Sequence, residues 1–400
     1  MASLPAIGPN RPSAIDWLQK NLFSNWFSSL LTLLIGWLLG SFLWHIGTWI
    51  FTQAKWNVIS ANLPLFMVGR FPVSEYWRVW LISGILASLG GITWSLLSNH
   101  NHQIGLSRST LIGLGVLAAS SVFLPNSPPA KVSVLLLIAL ATVGCVGGRS
   151  LARRFPRMGL WMLGVWLGAF FLCLWLLMGG MGLARIGPEL WHGLLLTVFM
   201  AAISITLSFP LGVMFALGRQ SGLPVVKFLS IAYIEFFRGL PLVGILFAAQ
   251  VMLPLILPGD WRIDRLVRAI AGLTIFTSAY LAEAIRGGLQ SIPRGQVEAA
   301  KALGLNTLLI TGLIVLPQAL RAVIPAIVNL FLSLFKDTSL LAIVGLVELT
   351  GISKSILANP EFLGRFAEVY LFVALVYWLC CYLMAQTSRQ LEKNLGVGSR

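Results

Sequence analysis

Ser291 to Pro317 reads SIPRGQVEAAKALGLNTLLITGLIVLP, and the rest of the chain can be placed outward from it. Pro293 suits the first position of a helix, where its missing N–H loses no hydrogen bond. Gln296 to Leu303 holds strong helix formers, and Gly304 stands where a helix would end. The pattern predicts a helix of about eleven residues, about 16 Å long and too short to cross a bilayer. Val297, Ala300 and Leu303 share one face, while Arg294, Glu298 and Lys301 keep the others polar. Such a helix fits a groove on a partner protein. It equally fits an interfacial helix lying on a membrane, and physics alone leaves both readings open.

The surroundings of this stretch are apolar. Of 400 residues, 57% are hydrophobic and 10% charged, and mean hydropathy is +0.86. A soluble domain carries about 25% charged residues to coat its surface, so the solvent for most of this chain is lipid. The formal charge of +15 is spread in short runs between apolar segments rather than gathered on one patch. That distribution excludes a nucleic-acid partner and matches the basic loops of membrane proteins.

Nine stretches are long or nearly long enough to cross: roughly 27–51, 77–97, 110–124, 132–148, 158–178, 192–217, 228–257, 266–285 and 366–386. A tenth, roughly 319–350, is interrupted by Lys336-Asp337. The third and fourth are short and separated by Pro125, Pro128 and Pro129, so a re-entrant pair is the alternative. The expected fold is an all-α integral membrane protein with eight to ten crossings, ten preferred. The first apolar run is longer than a signal-peptide core and reads as an anchor rather than a cleavable leader. With both termini cytoplasmic, 16 basic residues fall inside and 10 outside, Arg78 and Arg268 among the latter.

Cys145, Cys173, Cys380 and Cys381 lie within apolar runs and read as small core residues. His45, His100, His102 and His192 form no ligand cluster, so no metal is expected; His100 to His102 reads as a solvated loop. Residues 1–180 read as additional membrane helices without a chemical motif, and 190–390 carry the unusual features. Glycines at Gly179, Gly180 and Gly182 are expected to loosen the chain between the two.

Glu298-Ala299-Ala300, three residues, Gly304, nine residues, then Ile314-Val315-Leu316-Pro317 resembles the EAA loop of permease subunits of bacterial ABC importers. Tyr233 to Leu242, Ala279 to Glu283 with Arg286-Gly287-Gly288, and Phe335 to Leu340 resemble the polar (His/Glu/Arg/opine) amino-acid permeases over about 190–390. Leu65 to Pro72 and Tyr76 to Trp80 resemble the large subunits of general L-amino-acid permeases. The resemblance implies a type I importer fold in the C-terminal half, with the EAA loop (291–317) docking onto an ATP-binding subunit through Glu298, Ala299, Ala300, Gly304, Ile314, Leu316 and Pro317. It implies a second permease subunit, a periplasmic amino-acid-binding protein and a bacterial inner-membrane location. No GxxxxGK[ST] phosphate loop occurs, so this chain is expected to be no enzyme and to hold no cofactor, with ATP used by the partner.

A secondary transporter would place several carboxylates at mid-membrane; Lys336-Asp337 and Glu235/Arg238 are each mixed pairs. A membrane-embedded enzyme would cluster His, Asp or Glu at one depth, and the sequence has no such cluster. Lys336, Asp337, Thr338 and Ser339 are expected to line or gate the substrate pathway, because a charge at that depth is expensive when facing lipid. A structural ion pair is the competing reading of the same residues.

Overall fold

The computed structural model describes residues 14–98, 128–154, 158–256, 258 and 263–395, and they are almost wholly helical. Contacts divide the chain into two units, Met1–Trp56 and Asn57–Arg400. In the first, α1 (Ala14–Leu22) precedes α2 (Trp26–Thr48). Asn25 caps α2, its side chain accepting from the Ser28 amide at 2.8 Å. Helix α2 is apolar on every face and buries none of its residues, the pattern of a helix solvated by lipid.

The second unit runs α3 (Asn57–Val68), α4 (Tyr76–Ser98), α5 (Pro128–Arg154), α6 (Met158–Met178), α7 (Gly193–Arg219), α8 (Pro224–Arg238), α9 (Leu242–Phe247), α10 (Arg265–Gln290), α11 (Arg294–Ala302), α12 (Leu316–Asp337), α13 (Leu349–Leu357) and α14 (Phe366–Leu395). Among the described residues seven helices are long and apolar enough to cross, or eight if one bent pair is a single span. The expected span at 110–124 and the His100–His102 loop lie outside the described residues.

Two expected spans take a different form. The segment 228–257 is broken: α8 and the helical stretch Leu242–Ile256 meet at 102°. Pro241 has no N–H to continue α8, and it drives Leu240 before it out of helical geometry. The segment 319–350 is helical from Thr307, passes through a π turn (Ile310–Val315) ahead of Pro317, and stops at Asp337. A 3-10 turn (Thr338–Ala342) and Gly345, at φ +83°, then redirect the chain into α13.

The glycines at 179–182 do not loosen the chain. Gly179, Gly180, Met181 and Gly182 all have positive φ, forming a tight corner closed by Gly180 N–H to Leu183 O at 2.9 Å. Arg78 ties this corner down. Counted from sequence among the basic residues on the outer side, it is 1% exposed, donates to Ala184 O at 2.8 Å and pairs with Glu75 at 2.8 Å. Val68, Phe71 and Ile82 share one hydrophobic cluster with Leu196, Met200, Leu246 and Leu334, so helices from both halves build a common core. Cys145 is buried within the helices and the other three cysteines are half-buried, all as free thiols.

Helices α7 and α10 pack closely: a Cβ at Gly212 would lie 2.6 Å from Leu281 Cβ and 3.3 Å from Ser278 O. Ser204, Ser208 and Ser278 are fully buried. The end of α10 presses on α12: a Cβ at Gly288 would lie 2.6 Å from Ala319 O. These contacts hold rigidly the two helices that flank α11.

Candidate functional site

Helix α11 is shorter than expected, with 9 residues, and it starts at Arg294. Pro293 is the residue before it, extended at ψ 135°, because its carbonyl is needed to accept the Gln296 N–H at 3.1 Å. Gly304 takes φ +77° and donates to Lys301 O at 2.9 Å, while the Leu305 N–H turns back to Ala300 O at 3.2 Å. This left-handed closure favours glycine, which has no side chain to clash.

Ala300 is buried and Val297 half-buried, but Leu303 leaves the expected shared face. It is the C-cap, where the chain has stopped winding, and it stands 80% exposed. Leu308, just past the turn, is 84% exposed. Glu298 and Ala299 are exposed, and Glu298 has no ion pair among the described residues. Ile314 and Leu316 are half-buried and Pro317 is exposed at the start of α12. The loop thus presents a rigid polar helix with two bare leucines beside it.

Helix α12 has two unlike faces. Ala319, Ile327, Leu334 and Phe335 are buried. Gln318, Ala322, Ala326, Asn329, Ser333 and Lys336, at steps of three and four, form an exposed stripe in the single chain. A lipid-facing helix would carry large apolar groups there, so a polar, small-residue stripe within a span belongs against protein or a wet cavity. Lys336 continues the stripe and has no ion pair among the described residues. Asp337 is turned away and half-buried. Thr338 is fully buried, donating to Phe335 O at 2.6 Å, and Ser339 is half-buried. Sequence reasoning missed Gln318, Asn329 and Ser333, whose helical spacing was the available signal.

A third assembly was not foreseen. Glu235 does not pair with Arg238; it accepts from Arg219 at 2.9 Å. Arg219 also reaches Glu283 at 3.4 Å, and Arg238 reaches Glu283 at 3.7 Å. Arg286 Nε donates to Glu283 Oε2 at 3.0 Å and its Nη1 to Gln290 at 2.7 Å. Glu283 therefore gathers three arginines from α7, α8 and α10. Among the described residues no group of three His, Cys, Asp or Glu is placed to hold a metal.

Residues 208–396 match the family described as the binding-protein-dependent transport system inner membrane component. Over the whole chain, the inner membrane amino-acid ABC transporter permease protein YhdY of Escherichia coli (strain K12) is 36% identical across 97% of this chain and 95% of its own length. The chain belongs to the amino-acid ABC transporter permeases. Within that family, the glutamate/glutamine/aspartate/asparagine transport system permease protein BztC of Rhodobacter capsulatus is 33% identical over 96% of this chain and 94% of its own length. The probable glutamine ABC transporter permease protein GlnP of Bacillus subtilis (strain 168) is 40% identical over 51% of this chain but 92% of its own length. The family match falls in the C-terminal half, where α11, the α12 stripe and the Glu283 cluster all sit, and the chain is a multi-pass inner-membrane protein.

Proposed function

We propose that this permease forms half of the translocation pathway of an ATP-driven amino-acid importer and that α11 docks onto a separate ATP-binding subunit. The observation that carries this reading is the α11 loop itself. It is a short, rigid helix closed by Gly304 at φ +77°, with Leu303 and Leu308 80% and 84% exposed beside it. Bare leucines in a polar loop match an interface anchor rather than a solvated turn.

On this reading α11 and both termini are cytoplasmic, and ATP chemistry belongs to the partner, with no cofactor held by this chain. A second permease subunit, different from this one, completes the pathway, and a periplasmic binding protein delivers the substrate. Amino acids pass along the exposed stripe of α12, where Lys336 offers an unneutralised ammonium to a substrate carboxylate. Asp337, Thr338 and Ser339 shape the turn behind it. The name of the Rhodobacter relative supports amino acids bearing amide or carboxylate side chains as candidate substrates.

The test is co-purification of the transporter from membranes in mild detergent. Leu303→Asp and Leu308→Asp together are expected to release the ATP-binding subunit while leaving this chain inserted and bound to its permease partner. Retention of the ATP-binding subunit at wild-type stoichiometry by that variant would remove α11 as the docking element.

A further inference from the structure

We infer that Glu283 is a positioning residue that carries movement of α11 into the broken α8–α9 segment. The inference rests on the docking role proposed for α11 and adds the route by which that docking reaches the membrane.

The peptide chain links α11 stiffly to α10. Ser291 N–H closes on Gly287 O at 3.2 Å and Gly288 O at 3.1 Å, and Pro293 fixes the next turn. Ile292 packs into the same hydrophobic cluster as Ala216, Ile234, Leu289 and Ala319. A displacement of α11 must therefore move the end of α10. Glu283 sits two turns before that end.

From there the link to α8 is electrostatic. Glu283 is paired with Arg219 at the last position of α7, with Arg238 at the last position of α8, and with Arg286 on its own helix. Arg238 also lies 5.6 Å from the Tyr280 ring centroid, and the Tyr280 hydroxyl donates to Arg238 O at 3.4 Å. Residue 239, the next after Arg238, begins the 102° break. Arg219 extends the linkage to Glu235, one turn earlier on α8.

The charge balance makes Glu283 the keystone. Three guanidinium groups converge on it, and Glu235 contacts only Arg219 among them. Neutralising Glu283 leaves three cations on α7, α8 and α10 with one carboxylate, Glu235, that contacts Arg219 alone, so the three helices repel instead of moving together. A purely structural cluster would lower assembly and both activities in step. A transmitting one separates them.

The transporter is isolated through this chain with the permease and ATP-binding subunits that co-purify, and it is reconstituted in lipid vesicles. With the binding protein supplied, ATP hydrolysed per labelled L-glutamine or L-glutamate imported is measured. Glu283→Gln is expected to keep assembly and hydrolysis and to raise that ratio about five-fold or more, the lower range of allosteric coupling. Glu283→Asp is expected to bring it back toward wild type. Arg238→Gln, which spares Glu283 and two of its partners, is expected to raise the ratio too. An unchanged ratio in both Glu283→Gln and Arg238→Gln overturns the inference, as does failure of Glu283→Gln to assemble together with an unchanged ratio in Arg238→Gln. Wild-type vesicles that import nothing on ATP would instead overturn the permease reading beneath it.

Discussion

The Tyr377 phenol donates to Glu348 Oε2 at 3.0 Å, in a place where the glutamate is wholly removed from solvent. The same carboxylate caps α13, accepting from Thr350 N–H at 2.8 Å and Gly351 N–H at 2.9 Å. One side chain therefore fixes the start of α13 and joins it to α14. Glu348→Ala loses the cap and one partner of the half-buried Tyr377 phenol, so it should destabilise the protein by about 2–4 kcal/mol. Tyr377→Phe removes one donor and leaves the capping amides in place, and it should cost about 1 kcal/mol. Thermal unfolding in detergent checks the order, which must not invert.

Glu348 lies between the crossing helices rather than in one. Burial pushes its carboxyl up to about 7, against the lowering effect of the Thr350 and Gly351 amides. The folded protein then holds a proton that the unfolded chain has released above about pH 4.5, so stability falls as pH rises through that window. Glu348→Gln carries no titrating group and should show a flatter profile between about pH 5 and 7.5. An identical slope in both proteins would assign the titration elsewhere.

Gly304 offers a test of backbone conformation. Nothing lies within 4 Å of the position a Cβ would take, so the penalty for a side chain is torsional at φ +77°. Gly304→Asn should be tolerated, since asparagine enters the left-handed region readily. Gly304→Val should cost about 1–3 kcal/mol at this turn and lose both uptake and the co-purified ATP-binding subunit. Equal uptake by the two variants, at equal membrane levels, would show that the closure is not required.

The α12 stripe predicts graded transport effects. Lys336→Gln should raise the KM for amino-acid uptake about ten-fold, the value of one charged hydrogen bond of about 1.5 kcal/mol. Ser333→Leu and Asn329→Leu should block uptake without altering membrane insertion, because apolar bulk suits lipid but not a wet path. Asp337→Asn, on the half-buried side, should affect stability more than KM. A KM change confined to Asp337→Asn would reverse the assignment of the two charges.

Arg78 and Glu75 test how the N-terminal helices are held. Arg78 is 1% exposed, so Glu75→Ala leaves a buried cation short of its carboxylate and should destabilise by about 3–5 kcal/mol. The double variant Glu75→Ala with Arg78→Met removes the charge together with its partner and should recover most of that loss. Yield and melting temperature of the two proteins in detergent decide the point. No recovery would mean that the Arg78 hydrogen bond to Ala184 O matters more than the ion pair.

By itself the sequence determined the membrane class, most of the spans and the short loop helix that Gly304 closes. Each is a local property: apolar run length reports lipid solvation, and Gly304 marks its own turn because of the φ it can adopt. The spacing from Glu298 to Pro317 carried the family resemblance for the same reason. Tertiary structure alone decided which faces and charges meet. Glu235 stands beside Arg238 in sequence yet pairs with Arg219, and Glu283 collects an arginine from 64 residues away. Arg78, counted from sequence among the outer basic residues, is buried where Ala184, 106 residues away, is brought to it. Lys336 and Asp337 are neighbours whose directions separate because α12 ends between an exposed stripe and a buried turn. Hydropathy cannot register such pairings, since a charge's energy depends on partners that only helix packing supplies.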